Sequence, residues 1–248
     1  MVEKIRHCDA ITNKQVVRAH APQSQEFFRN ISSRATELNM RVNESKTQVL
    51  CISAAKNSVV TSYINTDCDR ISSGSELKIL GFWFGEAPNV SLHVEKTVAK
   101  FRARLWTLRH LKRSGMSTSD LLFIYSSIIR PVIDFASNTY HSMLSAGLSY
   151  SLECLQKRAL KIIYGAVHSY EVLLKKSSIP RLSDRREEMF KKFSEKAKNN
   201  PKVSEEWFPK NPPPTHNTRN KEVYKELTAK TERLKNSPLF QMGKRLNA

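Results

Sequence analysis

Apolar positions along the chain follow two different periods, and the change between them falls near residue 90. Over residues 24–40, Phe27, Phe28, Ile31, Ala35 and Leu38 keep helical spacing, which predicts an amphipathic helix with Ser24 as its N-cap after Pro22. Two short runs of strand formers follow at 47–53 and 59–65, then turn chemistry at 66–75 (TDCDRISSGS) and a third strand at 77–84. Gly81 inside that strand suggests a bulge or a place where another backbone comes close.

From residue 91 the period becomes helical. Val94, Val98, Phe101, Leu105, Leu108 and Leu111 form one stripe, basic residues fill the rest of the circumference, and Gly115 stops the helix. Ser117 with Asp120 resembles a capping box and opens a second helix, which Pro131 kinks or restarts into 132–144. Residues 150–164 read as a further helix, 170–175 as a short one and 182–198 as a strongly charged one. Residues 199–220 hold Pro201, Pro209, Pro212, Pro213 and Pro214, which predicts an irregular strap. Trp207 and Phe208 are expected to anchor that strap to the body, with an exposed partner patch as the alternative. A last helix at 222–234 then precedes a basic tail containing Lys244 and Arg245. The predicted class is α+β: a small antiparallel sheet at 1–90, a helical bundle at 91–165, and a helical extension at 166–248 carrying the 199–220 strap.

Composition sharpens this picture through charge. The 248 residues include 41 Lys plus Arg against 23 Asp plus Glu, a net charge of +18. Residues 1–90 hold 11 basic and 9 acidic side chains, whereas 91–248 hold 30 and 14, so nearly all the excess lies in the helical part. A surface of that kind attracts polyanions, with nucleic acid first and anionic lipid second. No apolar run is long enough for a membrane span and the first ten residues lack a secretory core, which predicts a soluble protein of nucleus or cytoplasm, neither secreted nor membrane-bound. Cys8, Cys51, Cys68 and Cys154 have no C-x2-C spacing and read as buried free thiols.

No catalytic constellation stands out in the residues. There is no G-x-S-x-G elbow, Walker loop or H-E-x-x-H. Asp67 and Asp69 could face one side of a strand and hold Mg2+, but their serine-rich setting favours turn formation. His7, Asp9 and His20 read as surface groups, and no metal site is assigned.

One ordered series is more specific. Asn43-Glu44-Ser45-Lys46-Thr47 joins a helix to a strand, and Leu80-Gly81-Phe82 follows after a hairpin-sized interval. After these come KFRARLWTLRHLKRSG (100–115), IYSSIIRPVIDFAS (124–137) and LECLQKRALKIIYG (152–165). Together with the later RLSDRR and RLKNSPLF runs, the series resembles the end of the palm and the thumb of a non-LTR, LINE-type, Jockey-like retrotransposon reverse transcriptase. The resemblance implies a palm remnant at 1–90 with the fourth palm motif and the primer grip on an L-G-F hairpin, a thumb at 91–165, and a C-terminal extension.

The same resemblance implies site residues. Lys46 corresponds to a lysine beside the departing pyrophosphate, and Leu80, Gly81 and Phe82 to the primer grip. Lys96, Lys100, Arg102, Arg104, Arg109, Lys112 and Arg113, with Lys157, Arg158 and Lys161, fall on helices that would track an RNA template and its RNA/DNA or DNA primer duplex. The family's polymerases use Asp residues from earlier palm motifs to hold two Mg2+ ions. This sequence has no Asp-Asp dipeptide, and it is expected to lack an N-terminal polymerase portion. Mg2+ therefore belongs to the intact parent enzyme; no cofactor is expected in this chain, which should retain template and primer contacts without polymerising. The alternatives are a non-enzymatic nucleic-acid- or protein-binding module retained by a host, or a remnant without function.

Overall fold

Helix α1 (Val16–Glu37) begins before Ser24 and runs through Pro22, so the predicted cap is not used. The computed structural model describes residues 16–43, 46–52, 63–65, 70–87, 89–210, 224–225 and 227–247, with side chains from residue 24 onward. They divide into two units, Met1–Asn89 and Val90–Ala248. The secondary structure is mixed α and β with helix dominant.

In the first unit α1 ends at Asn39, whose left-handed backbone (φ 56°) lets Met40 N–H reach Ala35 O at 2.8 Å and Asn39 N–H reach Thr36 O at 3.0 Å. Phe28 and Ala35 are half-buried, but Phe27, Ile31 and Leu38 remain exposed, so the unit covers only part of the predicted apolar stripe. The sheet has the order β1 (Val49–Leu50), β3 (Arg70–Gly74), β2 (Tyr63–Asn65). β2 and β3 are antiparallel, but β1 and β3 are parallel through Val49 and Ser73, which corrects the expectation of a purely antiparallel sheet. Within the segment 66–75 expected as a turn, Arg70–Gly74 is the central strand. Alternation decides it: Ile71 points inward and pairs with the buried Ile64, while Arg70, Ser72 and Gly74 face out. Gln25 covers the edge of β2, its Nε2 donating to Asn65 O at 2.7 Å and its Oε1 accepting from Asn65 N–H at 2.8 Å. The remaining residues of the predicted 59–65 strand, with Asp67, Asp69, His7, Cys8, Asp9 and Cys68, lie outside the described residues.

The predicted strand at 77–84 is two strands. β4 (Glu76–Ile79) pairs with β5 (Phe82–Gly85), and the chain reverses at Leu80 (φ 48°) and Gly81 (φ 90°). Two consecutive positive φ angles are the twist a two-residue hairpin requires, so Gly81 serves the turn and not a bulge.

The second unit is helical. Helix α2 (Ser91–Arg113) buries Val94, Phe101, Leu105 and Leu108 and ends at Gly115 (φ 83°), whose N–H and that of Met116 return to Lys112 O and Leu111 O. Helix α3 (Thr118–Ile124) starts on Ser117, whose Oγ accepts from Asp120 N–H at 3.2 Å. It widens into a π turn (Tyr125–Ile129), because Arg130 N–H bonds back to Tyr125 O ahead of Pro131, which has no N–H to give.

The predicted helix 132–144 is broken into α4 (Pro131–Asp134), α5 (Ser137–Tyr140) and a 3-10 turn (His141–Met143), with Ala136 left-handed at φ 53°. The break frees the Ile133 carbonyl from its helical partner, and the Tyr140 hydroxyl donates to it instead.

Helix α6 (Ala146–Tyr164) is capped by Ser145 and packs along α2 with Leu152, Leu155, Ala159, Leu160 and Ile163 buried. Then come α7 (Tyr170–Ser177), capped by Ser169, and α8 (Leu182–Asn199).

Part of the predicted irregular strap is helix α9 (Pro201–Trp207). Proline at the first helical position loses no intrahelical bond, so Pro201 opens the helix and does not forbid it. Phe208 is buried with Phe190, Ala197, Tyr224 and Met242, and Trp207 packs on that cluster, so both aromatics anchor the segment. The helix expected at 222–234 is replaced, among the described residues, by an isolated bridge pairing Tyr224 with Lys210 and a single turn α10 (Glu232–Lys235). The supposed tail is helix α11 (Pro238–Asn247), held because Met242, Leu239 and Leu246 join the cluster. Asn247 clasps the backbone of Tyr224, its Oδ1 accepting from N–H at 3.1 Å and its Nδ2 donating to the carbonyl at 3.0 Å.

Candidate nucleic-acid interface

Within the N-x-x-K-T element, Asn43 is hydrogen-bonded to both Lys46 and Thr47. Asn43 Oδ1 accepts from Lys46 N–H at 3.2 Å, and Thr47 Oγ1 donates to Asn43 O at 2.9 Å, so Asn and Thr at this spacing close the backbone and leave the Lys46 side chain exposed. At the hairpin tip Leu80 is 95% exposed, whereas Gly81 and Phe82 are half-buried and the Phe82 ring lies 4.9 Å from that of Phe84. An exposed leucine in the left-handed region is unfavourable twice over, in backbone and in solvation.

The basic residues of α2 do not form one face. At 3.6 residues per turn the buried stripe separates Arg102, Arg109 and Arg113 on one flank from Lys96, Lys100 and Arg104 on the other. Arg104 Nη1 donates to Ile128 O and so holds the π turn, while Lys112, near the end of the helix, is exposed. Arg102, Arg109 and Arg113 have no carboxylate partner among the described residues, and Arg102 and Arg113 are exposed. On α6, Lys157 and Lys161 share the outer face one turn apart, and Arg158 is exposed on its flank.

Elsewhere charge is consumed internally. Asp134 takes Arg185 at 2.9 Å and Arg130 at 3.7 Å. Arg186 is fully buried, burial lowers its pKa, and only its Nη2 is hydrogen-bonded, to Ser149 Oγ at 2.9 Å. Glu187 accepts from Arg245 and lies 2.7 Å from His141 Nε2; burial favours its neutral form, but these two hydrogen bonds outweigh burial and hold it below the usual carboxylate range.

Among the described residues no three His, Cys, Asp or Glu side chains are grouped to hold a metal. Cys51 and Cys154 are thiols outside any disulfide and half-buried, less enclosed than expected. Among the described residues no helix is long and apolar enough to cross a membrane.

Trp106, not picked out by the sequence reading, is 61% exposed on α2 beside Arg102 and Arg109. Its signal in the sequence is the i, i+4, i+7, i+11 run of Arg102, Trp106, Arg109 and Arg113, which the stronger apolar stripe of the same helix masks. No family model, curated protein or solved structure matches the chain.

Proposed function

We propose that the chain is the thumb-side part of a non-LTR retrotransposon-type reverse transcriptase, and that it binds a template–primer duplex through its basic helices without catalysing polymerisation. The observation that carries this reading is the flank of α2, where Arg102, Arg109 and Arg113 stand free of any carboxylate among the described residues. Guanidinium groups left without a protein counter-ion are available to phosphates, and a helix presenting them in register binds backbone, not sequence. Lys157 and Lys161 on α6 extend the cationic surface of the same unit. Leu80, Gly81 and Phe82 at the hairpin would approach a primer strand, and Lys46 would act only beside a complete metal site. The compartment that fits is intracellular.

Titration with an RNA/DNA hybrid at low and moderate salt tests this. Affinity should fall steeply as salt rises, by about an order of magnitude per few phosphates engaged. Absent binding, or binding indifferent to salt, would reject it.

A further inference from the structure

Arg102, Trp106, Arg109 and Arg113 succeed one another at intervals of four, three and four residues, which places them within an arc of about 60° along about 16 Å of the α2 axis. The core-facing side chains Phe101, Leu105 and Leu108 lie elsewhere on the helix, so Trp106 contributes nothing to that core and leaves 61% of its surface in solvent. Its indole lies against the His110 ring, with centroids 3.9 Å apart and planes at 55°. Glu95, the only acid on the helix, stands about 10 Å along the axis before Arg102. An exposed indole with unpaired guanidinium groups on either side suits a partner that is anionic and carries flat π faces.

A duplex supplies the anionic part but keeps its bases stacked on one another. A membrane would need an apolar face, and the neighbours of Trp106 on the outer face are Ala99 and Ala103, too small to supply one. We propose that Trp106 is a stacking platform for an unpaired base of a nucleic-acid strand whose phosphates Arg102, Arg109 and Arg113 hold. The proposal rests on the nucleic-acid reading above and narrows it to a strand with at least one unstacked base. His110 buttresses the indole, and the arginines set the strand's path across it. Stacking of this kind tolerates any base, because every base has a π face.

The test uses the full chain. With Trp83→Phe and Trp207→Phe, Trp106 is the sole tryptophan, and oligo(dT) single strand and a blunt mixed-sequence duplex are titrated against its selectively excited emission. In parallel, Trp106→Ala in the otherwise native chain is assayed by anisotropy with the same two probes. Oligo(dT) should quench Trp106 emission, and Trp106→Ala should lose about tenfold in affinity for oligo(dT) with duplex affinity unchanged. Oligo(dT) binding without quenching, or an alanine variant that keeps its oligo(dT) affinity, overturns the stacking role while leaving duplex binding intact. Equal losses for both probes overturn its selectivity for unpaired bases. If neither probe binds the native chain, the nucleic-acid reading itself fails.

Discussion

The hydroxyl of Tyr125 donates to Oε1 of Gln156 at 2.8 Å with both side chains wholly buried, tying the π turn to α6 from inside the core. The Gln156 amide nitrogen then donates to the Tyr170 hydroxyl at 3.0 Å and to Pro180 O at 2.9 Å, and Tyr170 donates on to Glu153. Glu153 in turn accepts from the N–H groups of Leu182 and Ser183 at 3.3 and 3.4 Å, at the start of α8. Four segments thus share one polar chain, and its satisfaction depends on the amide at its centre. Replacing the glutamine with an apolar residue, Gln156→Leu, strands the Tyr125 hydroxyl and the Pro180 carbonyl and should cost about 2–4 kcal/mol. Tyr125→Phe alone should cost about 1 kcal/mol, and the double variant less than the two together. Urea unfolding of the four proteins measures the cycle, and strict additivity would break the idea of a shared network.

Alkaline pH should unfold the protein sooner than its charge suggests. Burial pushes the hydroxyls of Tyr125 and Tyr140 well above the ordinary value of 10.0. Both are neutral when folded but ionise in the unfolded chain near pH 10, so their contribution is full below that pH and declines above it, by up to about 2.7 kcal/mol per pH unit for the pair, and Tyr170, raised by burial and its bond to Glu153, adds to the decline. Urea midpoints from pH 8 to 11 check this. Tyr140→Phe, although less stable at every pH because Ile133 O loses its donor, should lower the slope by up to about 1.4 kcal/mol per pH unit.

Arg186 sits in the core with two of its guanidinium nitrogens unbonded. Arg186→Met keeps the length of the side chain and removes the desolvated charge, and it should leave stability unchanged or raise it by about 1–2 kcal/mol. The acids nearby retain other partners, Arg185 for Asp134 and backbone N–H groups for Glu153. A loss above about 2 kcal/mol in chemical denaturation would show that the charge itself is needed.

Leu80→Asn should tighten the β4–β5 hairpin. Asparagine tolerates the left-handed backbone that leucine resists, and Leu80 has no packing to lose. Relief of about 1 kcal/mol corresponds to roughly fivefold slower hydrogen exchange at the hairpin amides. Unchanged exchange would mean that the leucine is not strained.

Sequence periodicity located α2, α6 and α8 because each carries an apolar stripe, although α6 starts at Ala146, ahead of the expected residue 150, and glycines at 115 and 165 mark the ends of the first two. It failed where the deciding partner is remote. Ser72 and Ser73 read as turn residues, but Tyr63 and Val49 recruit them into a sheet. Residues 132–144 have helical character throughout, and only the Tyr140 hydroxyl seven residues on from Ile133 compensates for the interruption. Pro201 reads as a helix breaker, but its position is a helix start, and Tyr224 is held outside a helix by Asn247, far along the chain. Of the candidate site, the cationic residues could be named from sequence, but their division between two flanks of α2 required the core to be placed first.

The clasp between Asn247 and Tyr224 carries a chemical clock. Hydrolysis of the Asn247 amide to a carboxylate, the ordinary ageing reaction of asparagine, would remove the Nδ2 donor and set a negative charge against the Tyr224 carbonyl, while the oxygen facing the N–H would remain. One half of the clasp would then repel what it once held. A preparation stored for long enough would become a mixture in which the aged fraction holds α11 less firmly, distinguishable from the fresh protein by a single negative charge.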